Sequence, residues 1–249
     1  SKFNSSVSPS TEAAVRASTD VLNLRRATGG EDEPTLEELR NIAIFNRSTQ
    51  KRIVTREDLI ARVYSMPSNF GRVFRVAVAD NPRNPRGAQL HVISRTAAGN
   101  LVTSTDTLKQ NLAKYLNSFR LVSDSIDILD AIVINLGMNY SITIEKGYRS
   151  EVVISAINSK LASYFDIKKF QINKPVIIGE LENIILNVPG VVSIISLNVV
   201  NNAGVLNSKL YSTFRFDIKQ SLDRGMIFPP VGGIFEVKFP NEDIAGRVV

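Results

Sequence analysis

A single histidine, His91, sits in the run Leu90-His91-Val92-Ile93, and the chain contains no cysteine. An imidazole is the natural acid–base group near neutral pH, but without a thiol or a second histidine it supports neither a Cys–His dyad nor an imidazole metal cluster. A lone histidine in a strand reads as structural or simply exposed. Metal binding would then fall to carboxylates. Glu31, Asp32 and Glu33 are adjacent, so their side chains diverge, and they lack the spacing of a calcium loop. They read instead as negative charge at a helix N-terminus. Asp124, Asp127 and Asp130 recur every third residue and would converge only on a helix, whereas residues 123–130 read as a polar connector. Glu180 and Glu182 read as first-turn helix charges. A hydrolase using Asp124, Asp127 or Glu180 would need those acids together in a pocket, and the coarse layout scatters them. The sequence has no P-loop, no GxGxxG fingerprint and no nucleophile elbow. The expectation is no catalytic, cofactor-binding or metal-binding residue, no cofactor and no small-molecule substrate. The chain does not read as an enzyme.

Charge offers a different chemistry. The formal net charge is +6. Between Arg47 and Arg95 stand ten Lys or Arg against three acids, Glu57, Asp58 and Asp80, while the remainder is close to neutral. Such a segment could form a footprint for nucleic acid or for an acidic protein face. It could equally be arginines alternating outward along ordinary strands and a helix. Single-strand binders interleave aromatic stacking platforms with their basic residues. Here only Tyr64, Phe70 and Phe74 are available, in no interleaved pattern.

These residues must be positioned by a core, and 249 residues at 43% hydrophobic content suffice for one large domain or two small ones. No apolar run approaches the roughly 18–20 residues that cross a bilayer, and residues 1–18 lack a signal-peptide hydrophobic region. No membrane association is expected. The missing initiator Met leads to the expectation of a processed product or an excerpt.

Residues 1–28 are Ser/Thr/Ala-rich and read as an extended arm. Gly29 to Pro34 break the chain before a helix capped by Thr35, with Glu38 completing a capping box. A second helix starts at Thr55, with Asp58 in the same capping position, and stops before Pro67. Val73–Ala79 and Leu90–Ser94 read as a hairpin across the turn cluster Asn81–Gly87. Ser104 or Thr105 opens a helix whose Leu108, Leu112, Tyr115, Leu116 and Phe119 share a face.

The second half repeats the theme. Ala131–Ile134 reads as a strand, and Met138, Tyr140, Ile142 and Ile144 alternate with polar partners. Ser150–Phe165 reads as a helix, Gly179–Val188 as a shorter one, and Pro189-Gly190 turns into the strand Val191–Val200. In the tail from Leu210, Phe214, Phe216 and Ile218 alternate with charged residues as in a strand, as do Phe235, Val237 and Phe239. A two-strand arm of that kind needs another surface to pack on.

The expected fold class is α+β: two small α+β modules, which short internal matches suggest are related, with an extended N-terminal arm and a β-rich C-terminal tail. The expected boundaries are 1–50 for the arm and linker helix, 51–122 and 123–206 for the modules, and 207–249 for the extension.

The string Gly29-Gly30-Glu31-Asp32-Glu33-Pro34-Thr35-Leu36-Glu37-Glu38-Leu39-Arg40 resembles a segment of baseplate J-like proteins, the wedge subunits of contractile phage tails and related injection machines. Arg52-Ile53-Val54-Thr55-Arg56-Glu57-Asp58, then Pro67 and the strand to Val78, follow in that family's order. Ile142 to Tyr148 and Val188-Pro189-Gly190-Val191 look like its C-terminal module. The ending, with Phe228-Pro229-Pro230, Ile234 to Asn241 and Asp243-Ile244, resembles the baseplate wedge proteins of T-even-type phages and their cyanophage relatives. Order and spacing, rather than any one motif, carry this likeness over residues 29–249. The longer family members place this chain as a C-terminal portion.

The resemblance implies a virion structural protein in the tail baseplate, assembled in the host cytoplasm. It would dimerise with itself, bind other wedge proteins and join neighbouring wedges into the ring around the hub. On that reading the basic segment faces an acidic neighbour subunit, nucleic acid is not an expected partner, and both terminal arms gain order only in the assembly. The alternative is a nucleic-acid-associated binding module using residues 47–95.

Overall fold

The computed structural model describes residues 52–97, 99–121 and 125–249 together with Leu36 and Arg40, and Thr55 caps the helix that follows it. The N-terminal arm, the acidic break and the Thr35–Glu38 capping box lie outside the described residues. In α1 (Arg56–Tyr64) the Thr55 hydroxyl accepts the Asp58 amide at 3.1 Å, and the Asp58 carboxylate accepts the Thr55 amide at 3.0 Å. This reciprocal cap satisfies two otherwise orphaned donors and is worth about 1 kcal/mol. Leu59 and Val63 face the core, and Ala61 is buried as well.

β1 (Arg75–Asp80) and β2 (Gly87–Arg95) pair antiparallel, as their alternation predicts, with Arg75 opposite Ile93 and Asp80 opposite Ala88. The short β3 (Leu101–Val102) adds to the end of β2. Thr105 then caps α2 (Asp106–Asn117), whose Leu108, Leu112 and Leu116 are buried against β2 and α1 to form the first core.

Residues 125–130, expected as a connector, instead form β4 (Ser125–Asp130), parallel to β2 with Gly87 opposite Ser125 and Val92 opposite Asp130. Three polar residues, Ser125, Asp127 and Asp130, alternate only partly with Ile126, Ile128 and Leu129 in this segment. Pairing with a buried neighbour strand decides its conformation, and both isoleucines pack on the first core.

Ala131 alone separates β4 from β5 (Ile132–Ile144), the long strand of the second sheet. Ile134, Leu136, Met138, Tyr140 and Ile142 point to one face and are almost fully buried. Against them pack α3 (Ser150–Tyr164), through Val153, Ile157 and Leu161, and α4 (Ile178–Leu186), through Leu181 and Ile185. Between these helices lies the two-residue β6 (Val176–Ile177). β7 (Val191–Asn202) then runs antiparallel to β5. Both sheets thus place a long strand between an antiparallel neighbour that follows a helix and a parallel neighbour, in different chain order. The α+β class stands.

The tail departs from its expected form in two places. Phe214, Phe216 and Ile218 do not build a strand. The Asp217 carboxylate accepts the Lys219 and Gln220 amides and turns the chain locally, while Phe216 and Ile218 pack on the second core. The second expected strand stops at Glu236: β12 (Gly233–Glu236) is followed by the short helix α5 (Pro240–Asp243), which Pro240 opens from its first turn, where a missing amide donor costs nothing.

Two short hairpins precede it. β8 (Val205–Leu206) pairs with β9 (Lys209–Leu210). β10 (Leu222–Asp223) pairs with β11 (Met226–Ile227), which also pairs with β6. β12 and the last strand, β13 (Ile244–Val248), lie end to end along the free edge of β5, both parallel to it. The surface that the tail needs is therefore β5 of the same chain.

Phe74, Ile93, Leu101, Ala131, Ile172 and Ile234 form a third cluster where the two sheets meet. Among the described residues no helix is long and apolar enough to cross a membrane.

Candidate assembly interface

The junction between the sheets holds the polar groups with the most constrained surroundings. Glu236, at the end of β12, is buried; one carboxylate oxygen accepts the Leu101 amide at 2.7 Å and the other accepts Asn135 Nδ2 at 2.7 Å. Burial pushes its carboxyl above the ordinary value, and these two hydrogen bonds offset only part of that effect. Asn135 extends the network: its Oδ1 accepts the Ser212 amide at 2.7 Å, and its backbone carbonyl accepts Asn201 Nδ2. Arg75 makes a second clamp, donating to the carbonyls of Phe170, Lys168 and Phe74. Its guanidinium also covers the Phe74 ring at 4.3 Å.

His91 belongs to the same junction. It is buried, and neither ring nitrogen has a hydrogen-bond partner of good geometry. Burial pulls its pKa down, with the nearby Asp130 backbone acting weakly in the opposite sense. A groove of about 1010 Å³ opens beside this junction, lined by α3, the turn at Gly99-Asn100 and the stretch from Glu236 to Asn241. Glu236, the buried carboxylate of its lining, is already held by two donors.

The sequence candidates separate in space. Asp127 and Asp130 lie on β4, where a spacing of three puts their side chains on opposite faces. Asp127 accepts Asn81 Nδ2 at 2.6 Å, while Asp130 pairs with Lys109 at 2.9 Å. That hydrogen bond to Asp130 is the main reason the Lys109 pKa is raised. Asp124 and the acids at 31–33 lie outside the described residues. Glu180 sits in the first turn of α4 and accepts the Tyr164 hydroxyl at 2.7 Å. Among the described residues no group of His, Cys, Asp and Glu could hold a metal ion.

Among the described residues, four arginines of the basic segment make contacts within the chain. Arg75 is buried, Arg56 pairs with Asp80, Arg62 covers the Phe119 ring at 4.5 Å, and Arg95 covers Phe74 at 4.9 Å. Arg83 and Arg86 remain exposed in the β1–β2 loop, which Asn81 and Asn84 shape by accepting the Arg83 and Arg86 amides.

Sequence reading missed Glu236, Asn135 and Arg75. A lone Asn inside the apolar run Ala131–Met138 was the one available signal for this network. Exposed apolar groups form a second class. On the β8–β9 hairpin, Val205 and Leu210 stand opposite each other and both face solvent.

No family model matches the chain, and no curated protein matches it. Among solved structures, the fold aligns with a chain in the cryo-EM structure of the anti-feeding prophage (AFP) baseplate, 6-fold symmetrised. The TM-score is 0.50 at 12% identity, and the match covers 70% of this chain and 39% of that chain. The likeness is one of fold. It embraces most of the α+β architecture built above, while this chain corresponds to well under half of its counterpart.

Proposed function

We propose that this chain is a structural subunit of a contractile phage tail baseplate wedge. It dimerises, binds other wedge proteins and links neighbouring wedges into the ring around the hub. The carrying observation is the fold shared over 70% of the chain with a chain of the AFP baseplate. The ordered motifs from Gly29 to Ile244 support the same reading. Its place is the virion tail, after assembly in the host cytoplasm. The junction fits that role, since Glu236, Asn135 and Arg75 lock two sheets into one body while the exposed hairpin and the Arg83–Arg86 loop remain available for neighbours. The exposed arginines would face an acidic surface on an adjoining subunit.

The test is reconstitution. Purified chain is mixed with the other wedge proteins of the same phage and the complex is followed by light scattering, with antibody labelling of intact tails by electron microscopy. Co-assembly and label at the distal end of the tail are expected. Absence of both removes the proposal.

A further inference from the structure

We infer that two copies of this chain meet along the outer edge of β7, antiparallel across a two-fold axis that passes between Ile194 and Ile195. This rests on the subunit reading above and assigns a surface to its self-association.

β7 pairs with β5 on one side, and among the described residues no strand pairs with its other side. Such an edge presents a row of backbone donors and acceptors, and proteins normally blunt it with charge, proline or shortness. β7 has no charge, no proline and twelve residues of length, and two bulges are the one such device it carries. It runs from Val191 to Asn202, and no charged residue occurs anywhere between Glu182 and Lys209 in a chain that is 22% charged. Two copies can therefore approach along it with no like-charge repulsion.

Bulges add apolar surface at the same place. The register with β5 skips Ile195, between Ser196 and Ile194, and Val192, between Ser193 and Val191. These two residues have no partner on β5, and their side chains are 55% and 62% exposed.

The sequence identifies the occupant. Val192-Ser193-Ile194-Ile195-Ser196-Leu197 reads nearly the same in both directions. The bulge at Ile195 brings Ser193 and Ser196, opposite Thr143 and Ser141 on β5, to one face of the sheet, so that an antiparallel two-fold pairing sets Ser193 against Ser196 of the second copy, with Ile194 and Ile195 at the axis. A closed isologous contact requires this self-complementarity, and an unrelated extended segment would not.

The native chain has no cysteine, which makes the register directly testable. Ser193→Cys and Ser196→Cys chains are prepared separately, mixed and oxidised. Directly opposite residues on paired strands bring their Cβ atoms near the separation that a disulfide spans. Covalent dimer is expected in the mixture and not from either variant alone. In parallel, light scattering of the native chain is expected to show a dimer, and Ile195→Lys to weaken it at least about tenfold with an unchanged circular dichroism spectrum. Leu210→Lys, away from the seam, leaves the dimer intact.

A native chain that stays monomeric up to about 100 μM, a dimer indifferent to Ile195→Lys, or equal cross-linking in mixed and unmixed samples each overturns the inference. A monomer that still binds the other wedge proteins removes the seam alone. A β7 dimer that binds none of them keeps the seam and removes the baseplate reading.

Discussion

The imidazole of His91 fills the space where a side chain at Gly232 would begin: a Cβ built on Gly232 would lie 2.3 Å from His91 Nδ1. Gly232 also adopts φ +78°, and its amide donates to Asn173 Oδ1 at 2.7 Å. One contact thus joins the centre of the first sheet to the turn that delivers β12 to the second. Gly232→Ala combines a left-handed backbone with a steric overlap. It should destabilise the chain by about 2–3 kcal/mol, read from urea unfolding. A loss under 0.5 kcal/mol would show that the ring moves aside freely.

The same histidine sets a pH dependence. Its folded pKa lies below the ordinary 6.5, so the unfolded chain takes up the proton first. The stability that depends on a neutral ring is present above about pH 6.5 and is lost as pH falls through the folded value. Glu236 acts in the opposite sense. Its folded pKa lies above 4.5, so its contribution is present below that value and is lost as pH rises through the folded one. His91→Leu removes the first effect and two unbonded ring nitrogens. Stability at pH 7 should hold or rise by about 1 kcal/mol, and its fall toward pH 5 should shrink. Identical pH profiles for variant and native chain would contradict this.

Asn135 is bonded on both sides of its amide. Asn135→Ala leaves the Glu236 carboxylate short of one donor and the Ser212 amide without its acceptor. The expected loss is about 2–4 kcal/mol at neutral pH, seen as a lower urea midpoint. A near-neutral effect would mean that solvent reaches the junction.

Arg75 and Arg83 should behave oppositely despite their shared charge. Arg75→Ala uncovers three backbone carbonyls and should cost about 2–4 kcal/mol. The Arg83→Glu/Arg86→Glu double variant should change stability by under about 0.5 kcal/mol, yet weaken binding to an acidic wedge neighbour about tenfold or more. Assembly untouched by the double variant would remove the acidic-neighbour proposal. Strong, salt-sensitive DNA affinity lost in the same variant would favour the nucleic-acid alternative.

Hydrogen exchange separates the tail from a disordered arm. Phe235 and Ile244 are about 1% exposed, on strands parallel to β5. Their amides should be protected in the isolated chain at a level close to that of β5. Rapid exchange at both would restore the picture of a tail that gains order only in the assembly.

What the sequence determined by itself was local. The Thr55–Asp58 cap, the Leu108–Leu112–Leu116 stripe, the hairpin across Asn81–Gly87 and the Pro189-Gly190 turn each depend on groups within one or two turns of chain, so their residue types suffice. Tertiary structure decided whatever depended on a partner far along the chain. Ile126 and Ile128 became a strand because β2 offered a parallel ladder, whereas Phe214, Phe216 and Ile218 had a stronger alternation and no strand beside them. The tail joined β5, and His91 came to rest on Gly232, because burying the apolar faces of β5, β12 and β13 together brought those segments into register. A strand's hydrogen bonds lie outside itself, so its fate is set by the neighbour it finds.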